Sequence, residues 1–170
     1  MAPREVVSSA SSLSIARMTE HDLLEVVEIE ELSGISAWGW DAYHRELQSP
    51  EDAIMLVART PTTELAEDQG HAIAGFIVSR LIADELHINN VAVRYEVRRR
   101  GIAAQLLAAV LEEGRSNNAR LAFLEVREGN VAAQGLYQRS GFKVTGRRRR
   151  YYNQPVEDAL LMALLLEIWP

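Results

Sequence analysis

The stretch NVAVRYEVRRRGIAAQLL, Asn90 to Leu107, joins three local patterns whose order decides the fold. Val91, Ala92 and Val93 are short-chained strand residues. Arg98, Arg99, Arg100 and Gly101 make a basic turn, and Ile102, Leu106, Leu107, Val110 and Leu111 then recur at the spacing of one helix face. A helix entered from such a turn aims its free N–H groups and positive dipole end into it, so an anionic diphosphate is the natural guest. Gly101 and Ala103 keep side chains small where the backbone would meet that guest. Neither G-x-G-x-x-G nor G-x-x-x-x-G-K-[ST] is present, which excludes the fingerprints of a Rossmann dinucleotide site and a P-loop.

Outward from this stretch the chain alternates strands and helices. Leu13 to Met18 reads as a strand, and Thr19 opens an amphipathic helix to about Leu32 that Gly34 ends. Ser33 to Trp40 is an aromatic loop, followed by a short helix over Asp41 to Leu47 that Pro50 stops. Strands are expected at Ala53 to Arg59 and His71 to Leu81, separated by the polar hairpin loop Thr60 to Gly70. Leu86 to Val93 leads into the basic turn and a helix to about Ser116, closed by Asn118 in the left-handed region. A strand over Leu121 to Val126, a helix over Asn130 to Ser140 ended by Gly141, and strands near Phe142 to Tyr152 and Asp158 to Ile168 follow. The pattern predicts an α/β (α+β) fold: one mixed, partly parallel sheet of about seven strands flanked by helices.

The 170 residues suit one domain from residue 13 to 170, preceded by a Ser- and Ala-rich tail over residues 1–12 that has no signal-peptide core. A net charge of -6 argues against broad nucleic-acid binding and leaves room for a basic acceptor. No cysteine is present, so thiolate metal sites and cysteine nucleophiles are excluded. The four histidines lack metal-ligand spacing, and no metal is expected. The run Arg147 to Arg150 reads as a solvated face.

Downstream of the turn stand Leu124-Glu125-Val126-Arg127 and then Asn130-x-x-Ala133-x-x-x-Tyr137-x-x-x-Gly141-Phe142. Helical offsets bring Asn130, Ala133 and Tyr137 close to one face. Glu125 sits on a strand whose neighbours Leu124 and Val126 point the other way. Asn130 is equally well read as a helix N-cap.

Taken together, V-A-V, R-x-x-G-x-A, L-E-V-R, the Asn130-to-Phe142 pattern and Tyr151-Tyr152 with Glu157-Asp158-Ala159 resemble the GNAT superfamily, and within it the RimI-type ribosomal-protein alanine N-acetyltransferases. The resemblance implies acetyl transfer from acetyl-CoA to the N-terminal amine of a protein, with a basic ribosomal protein as partner and the cytoplasm as location. It implies Glu125 as general base, directly or through water, and Tyr137 as general acid toward the departing sulfur. By the same resemblance Val91, Ala92 and Val93 would bind the acetyl-pantetheine arm, and Arg98, Arg99, Arg100, Gly101, Ile102, Ala103 and Ala104 the pyrophosphate. Asn130 and Tyr137 would also contact the cofactor. The Val93 N–H would stabilise the oxyanion if the strand end splays open. Trp38, Tyr151 and Tyr152 would line the acceptor groove. Glu85 or His87 is an alternative base, a small amine or antibiotic an alternative acceptor, and a non-catalytic CoA-binding module an alternative function.

Overall fold

A computed structural model describes residues 13–60 and 73–166. The expected tail over residues 1–12, nearly all of the loop after Thr60, and the chain end beyond Leu166 lie outside the described residues. The elements are β1 Ser14–Arg17, α1 Leu23–Ser33, α2 Gly39–Leu47, β2 Ala53–Arg59, β3 Ile73–Ile82, β4 Glu85–Val93, α3 Ile102–Ser116, β5 Leu121–Arg127, α4 Val131–Arg139, β6 Lys143–Asn153 and β7 Val156–Leu165. Short 3-10 turns at Glu20–Asp22 and Tyr95–Val97 precede α1 and the basic turn. The seven strands form one mixed sheet in the order β1-β2-β3-β4-β5-β7-β6. Among the described strands only β4 and β5 pair in parallel.

Local chemistry accounts for the boundaries. The Thr19 N–H and hydroxyl both donate to the Asp22 carboxylate, which fixes the entry to α1 through a 3-10 turn. Gly34, Asn118 and Gly141 all take positive φ, and each stands where a helix must end.

β2 and β3 are apolar without alternation because helices cover both faces of the sheet. Ile54, Leu56 and Ala58 pack with α3 residues Leu106, Leu107 and Val110. Their neighbours Ala53, Met55 and Val57 pack on the other face with Leu23, Val26 and Ile29 of α1 and Tyr43 of α2. The sheet therefore separates two cores.

β4 changes face midway. Val78 pairs with Asn90 but Ser79 pairs with Ile88, so Asn89 is an extra, bulged residue. Leu86 and Ile88 belong to the α3 core, whereas beyond the bulge it is Val93 that does, and Ala92 joins the α1 core. Without Asn89 those assignments would be reversed.

Gly75 of β3 supports this end of β4. A Cβ there would lie 2.7 Å from the Ala92 carbonyl oxygen and 3.0 Å from Val93 Cγ2. Gly75→Ala must push the end of β4 aside, so we expect a loss of about 1–3 kcal/mol in chemical denaturation, as for other overpacked cores. An unchanged midpoint would show that the strand end yields freely.

Candidate active site

The parallel pairing of β4 and β5 runs only from Glu85 opposite Leu121 to Ile88 opposite Leu124. Beyond it β5 stays paired with β7 through Arg127, while β4 stays paired with β3 through Val93. The two strands therefore part at the β4 bulge and open a cleft of about 630 Å³. The edge of β4 after Asn89 faces this gap without a strand partner. Asn90 and Val91 of this edge line the gap, whereas Val93, whose N–H the resemblance would make an oxyanion donor, does not.

The cleft joins the two faces of the sheet. Ala122, Leu124 and Val126 point into the α3 core, so Phe123, Glu125 and Arg127 point to the opposite face. Tyr137 belongs to the α3 core and packs edge-on against Phe142 at 6.0 Å, yet it also lines the cleft. A carboxylate from one face and a phenol from the other thus meet one opening. Burial pushes the Tyr137 phenol up to about 12, with Tyr152 adding to the shift, so the group holds its proton throughout the neutral range. No hydrogen bond to its hydroxyl is found among the described residues.

Glu125 is held from β6. Its Oε1 lies 3.1 Å from Arg148 Nη1, and the Arg148 guanidinium stands 5.4 Å from the centre of the Tyr151 ring. Hydrogen bonding to Glu125 raises the Tyr151 phenol above its ordinary value. Tyr152 is raised chiefly by burial, and the Arg127 guanidinium lies 4.0 Å over its ring. Arg148, assigned from sequence to a solvated face, is exposed as expected and also lines the cleft.

The opposite wall is the loop between α1 and α2. The buried Glu30 carboxylate accepts the Trp38 N–H at 2.7 Å, the Gly39 N–H at 3.0 Å and the Tyr43 hydroxyl at 2.6 Å. Asn90 Nδ2 donates to the same hydroxyl at 2.9 Å, tying the wall to β4 just beyond its bulge. Trp38 stacks on Tyr43 with ring centres 5.4 Å apart. Burial, with help from the Glu30 charge, raises the Tyr43 phenol far above its usual value.

Tyr43→Phe would leave a buried carboxylate short of one donor and the Asn90 amide short of its acceptor. We expect about 1–3 kcal/mol lost in urea denaturation. Wild-type stability would mean that the carboxylate does not depend on this phenol.

Of the residues singled out from sequence, Trp38, Val91, Glu125, Asn130, Tyr137, Tyr151 and Tyr152 line this cleft. Ala92, Val93 and the basic turn do not. The turn nevertheless has the shape expected of it: Arg99 and Gly101 take left-handed φ of 63° and 78°, and α3 begins directly afterwards. A Cβ on Gly101 would meet no atom within 4 Å, so the backbone angle rather than crowding calls for glycine.

Among the described residues no side chain caps α3, and its first backbone bond runs from the Gln105 N–H to the Gly101 carbonyl. The N–H groups of Ile102, Ala103 and Ala104 thus precede the helical ladder and suit a diphosphate. Arg98 is turned away from the helix start: its Nε donates to the Val93 carbonyl at 3.0 Å and its Nη2 to the Ser33 hydroxyl at 3.3 Å. Asn130 accepts the Ala133 N–H at 3.1 Å, which is the N-cap role, while its Nδ2 donates to nothing among the described residues.

The alternative bases are present too. His87 Nε2 lies 2.8 Å from Glu85 Oε2, and both residues line the cleft where β4 and β5 are still paired. Among the described residues no group of His, Asp or Glu could hold a metal ion, and no helix is long and apolar enough to cross a membrane.

What sequence reading missed is Glu30, Tyr43, Asn90 and Arg148. The first three read as ordinary amphipathic-helix and strand residues, and only a buried carboxylate betrays them. Arg148 could have been found only by knowing how β6 pairs with β7.

Comparison with known proteins agrees with this geometry. Residues 23–142 match the acetyltransferase (GNAT) family. A Bacillus subtilis protein provisionally named a ribosomal protein bS18-alanine N-acetyltransferase is 34% identical over 149 residues, 88% of this chain and 93% of its own length. The Mycobacterium tuberculosis N-alpha-acetyltransferase RimI is 30% identical over 163 residues, 92% of this chain and 95% of its own. The crystal structure of the Escherichia coli ribosomal-protein-S18-alanine N-acetyltransferase superposes with a TM-score of 0.78 at 25% identity, covering 94% of this chain and 97% of that one. A split sheet with a carboxylate and a phenol at the opening, an uncapped helix after a basic turn, and these relatives together place the chain in the GNAT family, as an N-acetyltransferase of RimI type.

Proposed function

We propose that this enzyme acetylates the free α-amino group of a protein, with the N-terminal alanine of a small-subunit ribosomal protein as the acceptor and acetyl-CoA as the donor. The observation that carries the reading is the split between β4 and β5, where Glu125 reaches in from one face and Tyr137 from the other. When bound, the donor supplies an activated thioester carbonyl.

The chain's own residues do the rest. Ile102, Ala103 and Ala104 offer N–H groups to the diphosphate, and the unpaired edge of β4 offers backbone groups to the pantetheine arm. An α-amine is largely protonated at neutral pH, with a pKa of about 7.7–8.0, so Glu125 must take its proton before or during attack. Tyr137 holds a proton to deliver to the departing sulfur. Trp38, Tyr151 and Tyr152 form the walls between which the peptide N-terminus enters. A ribosomal acceptor implies a cytoplasmic site of action.

Mass spectrometry of two peptides tests the reading: one begins with a free alanine and continues into a basic ribosomal sequence, and its twin is N-blocked. Acetylation of the free peptide alone is expected. Failure on both, together with turnover of small amines, would move the acceptor to that class.

A further inference from the structure

Strand β6 loses its register inside the hairpin. Arg148 pairs with Ala159, the next pair is Tyr152 with Glu157, and Arg149, Arg150 and Tyr151 stand against Asp158 alone. The hairpin turn does not require this, because pairing resumes at Tyr152 and Asn153 before the chain reverses. At the centre of the bulge Arg150 takes φ 51°, a left-handed angle unfavourable for a residue with a side chain. Asp158 offsets it: Oδ1 accepts the Arg150 N–H at 2.8 Å, and Oδ2 accepts Arg147 Nη1 at 3.3 Å.

The bulge has a consequence for the cleft. Arg148 and Tyr151 are three residues apart and would point to opposite faces of a regular strand. Here both line the cleft beside Glu125, with Arg148 Nη1 3.1 Å from its carboxylate. Backbone strain of this kind persists where the surroundings over-determine it, and bulges re-aim side chains.

We propose that Asp158 is a positioning residue for acetyl transfer: it pins the left-handed bulge at Arg150, and the bulge turns Tyr151 to the side where Arg148 already stands, against Glu125. The inference rests on Glu125 being the general base. The lowered pKa of Asp158, caused first by the Arg150 N–H, agrees with a carboxylate engaged in that contact.

The test is kcat and KM for peptide acetylation in Asp158→Ala, in Asp158→Asn and in Asp158→Ala combined with Arg150→Gly. Asp158→Ala is expected to lower kcat by about 10- to 100-fold, the scale of a misplaced catalytic group, with the KM for acetyl-CoA unchanged. Adding Arg150→Gly should recover most of that loss, since glycine adopts the left-handed angle without an anchor. Asp158→Asn, whose amide oxygen still accepts the Arg150 N–H, should stay close to wild type, and it keeps the test decisive if the alanine variant does not fold. Wild-type kcat in Asp158→Ala, no recovery in the double variant, or equal losses in Asn and Ala would each overturn the proposal. Glu125→Gln is measured alongside. If it is impaired while Asp158→Ala is not, only the positioning role falls. If Glu125→Gln turns over normally, the base reading falls and the positioning role falls with it.

Discussion

Glu125→Gln is expected to reduce kcat for peptide acetylation by about 10²–10⁴-fold, the range that a positioned proton acceptor contributes. The substitution changes little else. Glutamine keeps the length and one acceptor oxygen, so Arg148 retains a partner and the β5–β7 pairing at Leu161 is untouched. The diphosphate-binding part of the donor site, the start of α3 and the turn around Gly101, lies on other elements. The KM for acetyl-CoA should therefore stay near its wild-type value. A steady kcat would reassign the base, and the Glu85–His87 pair in the same cleft would be the next to test.

Tyr137→Phe should cost about 10²-fold in kcat, the lower end of what one acid–base group supplies. It removes only an oxygen. The ring keeps its edge-on contact with Phe142 at 6.0 Å, and no described residue hydrogen-bonds the hydroxyl, so thermal stability should not fall. Loss of rate without loss of stability separates proton delivery from core packing. Because burial pushes the phenol up to about 12, the wild-type rate should show no loss from Tyr137 ionisation between pH 7 and 10. Wild-type turnover in Tyr137→Phe would leave the tyrosine a core aromatic.

The sheet and its helices were legible because their signals are local. The apolar spacing after Gly101, the glycine at 34 and the asparagine at 118 each act within one turn, and the structure places α3, the end of α1 and the end of α3 accordingly. That Glu125 and Tyr137 face one cleft was legible through their joint spacing. What could not be read are features that depend on pairing between distant strands. The Asn89 bulge exists only relative to β3, and the Arg149-to-Tyr151 bulge only relative to Asp158. The first moves the residues beyond it from one face to the other, and the second turns Tyr151 to the side of Arg148. Arg148 stands on the Glu125 face because it pairs with Ala159, which lies opposite Arg127, and that pairing, like the bulge that places Asn90 at the Glu30 network, is set between distant strands.

Whether donor and acceptor meet through the gap between β4 and β5 is decided by the affinity of CoA joined covalently through its sulfur to the N-terminus of an alanine-led basic peptide. The conjugate is expected to bind at least about 10²-fold more tightly than CoA or the peptide alone, because it would fill the gap from both faces of the sheet. Binding no tighter than that of CoA alone would mean that the conjugate cannot reach both sites through the gap and would contradict it.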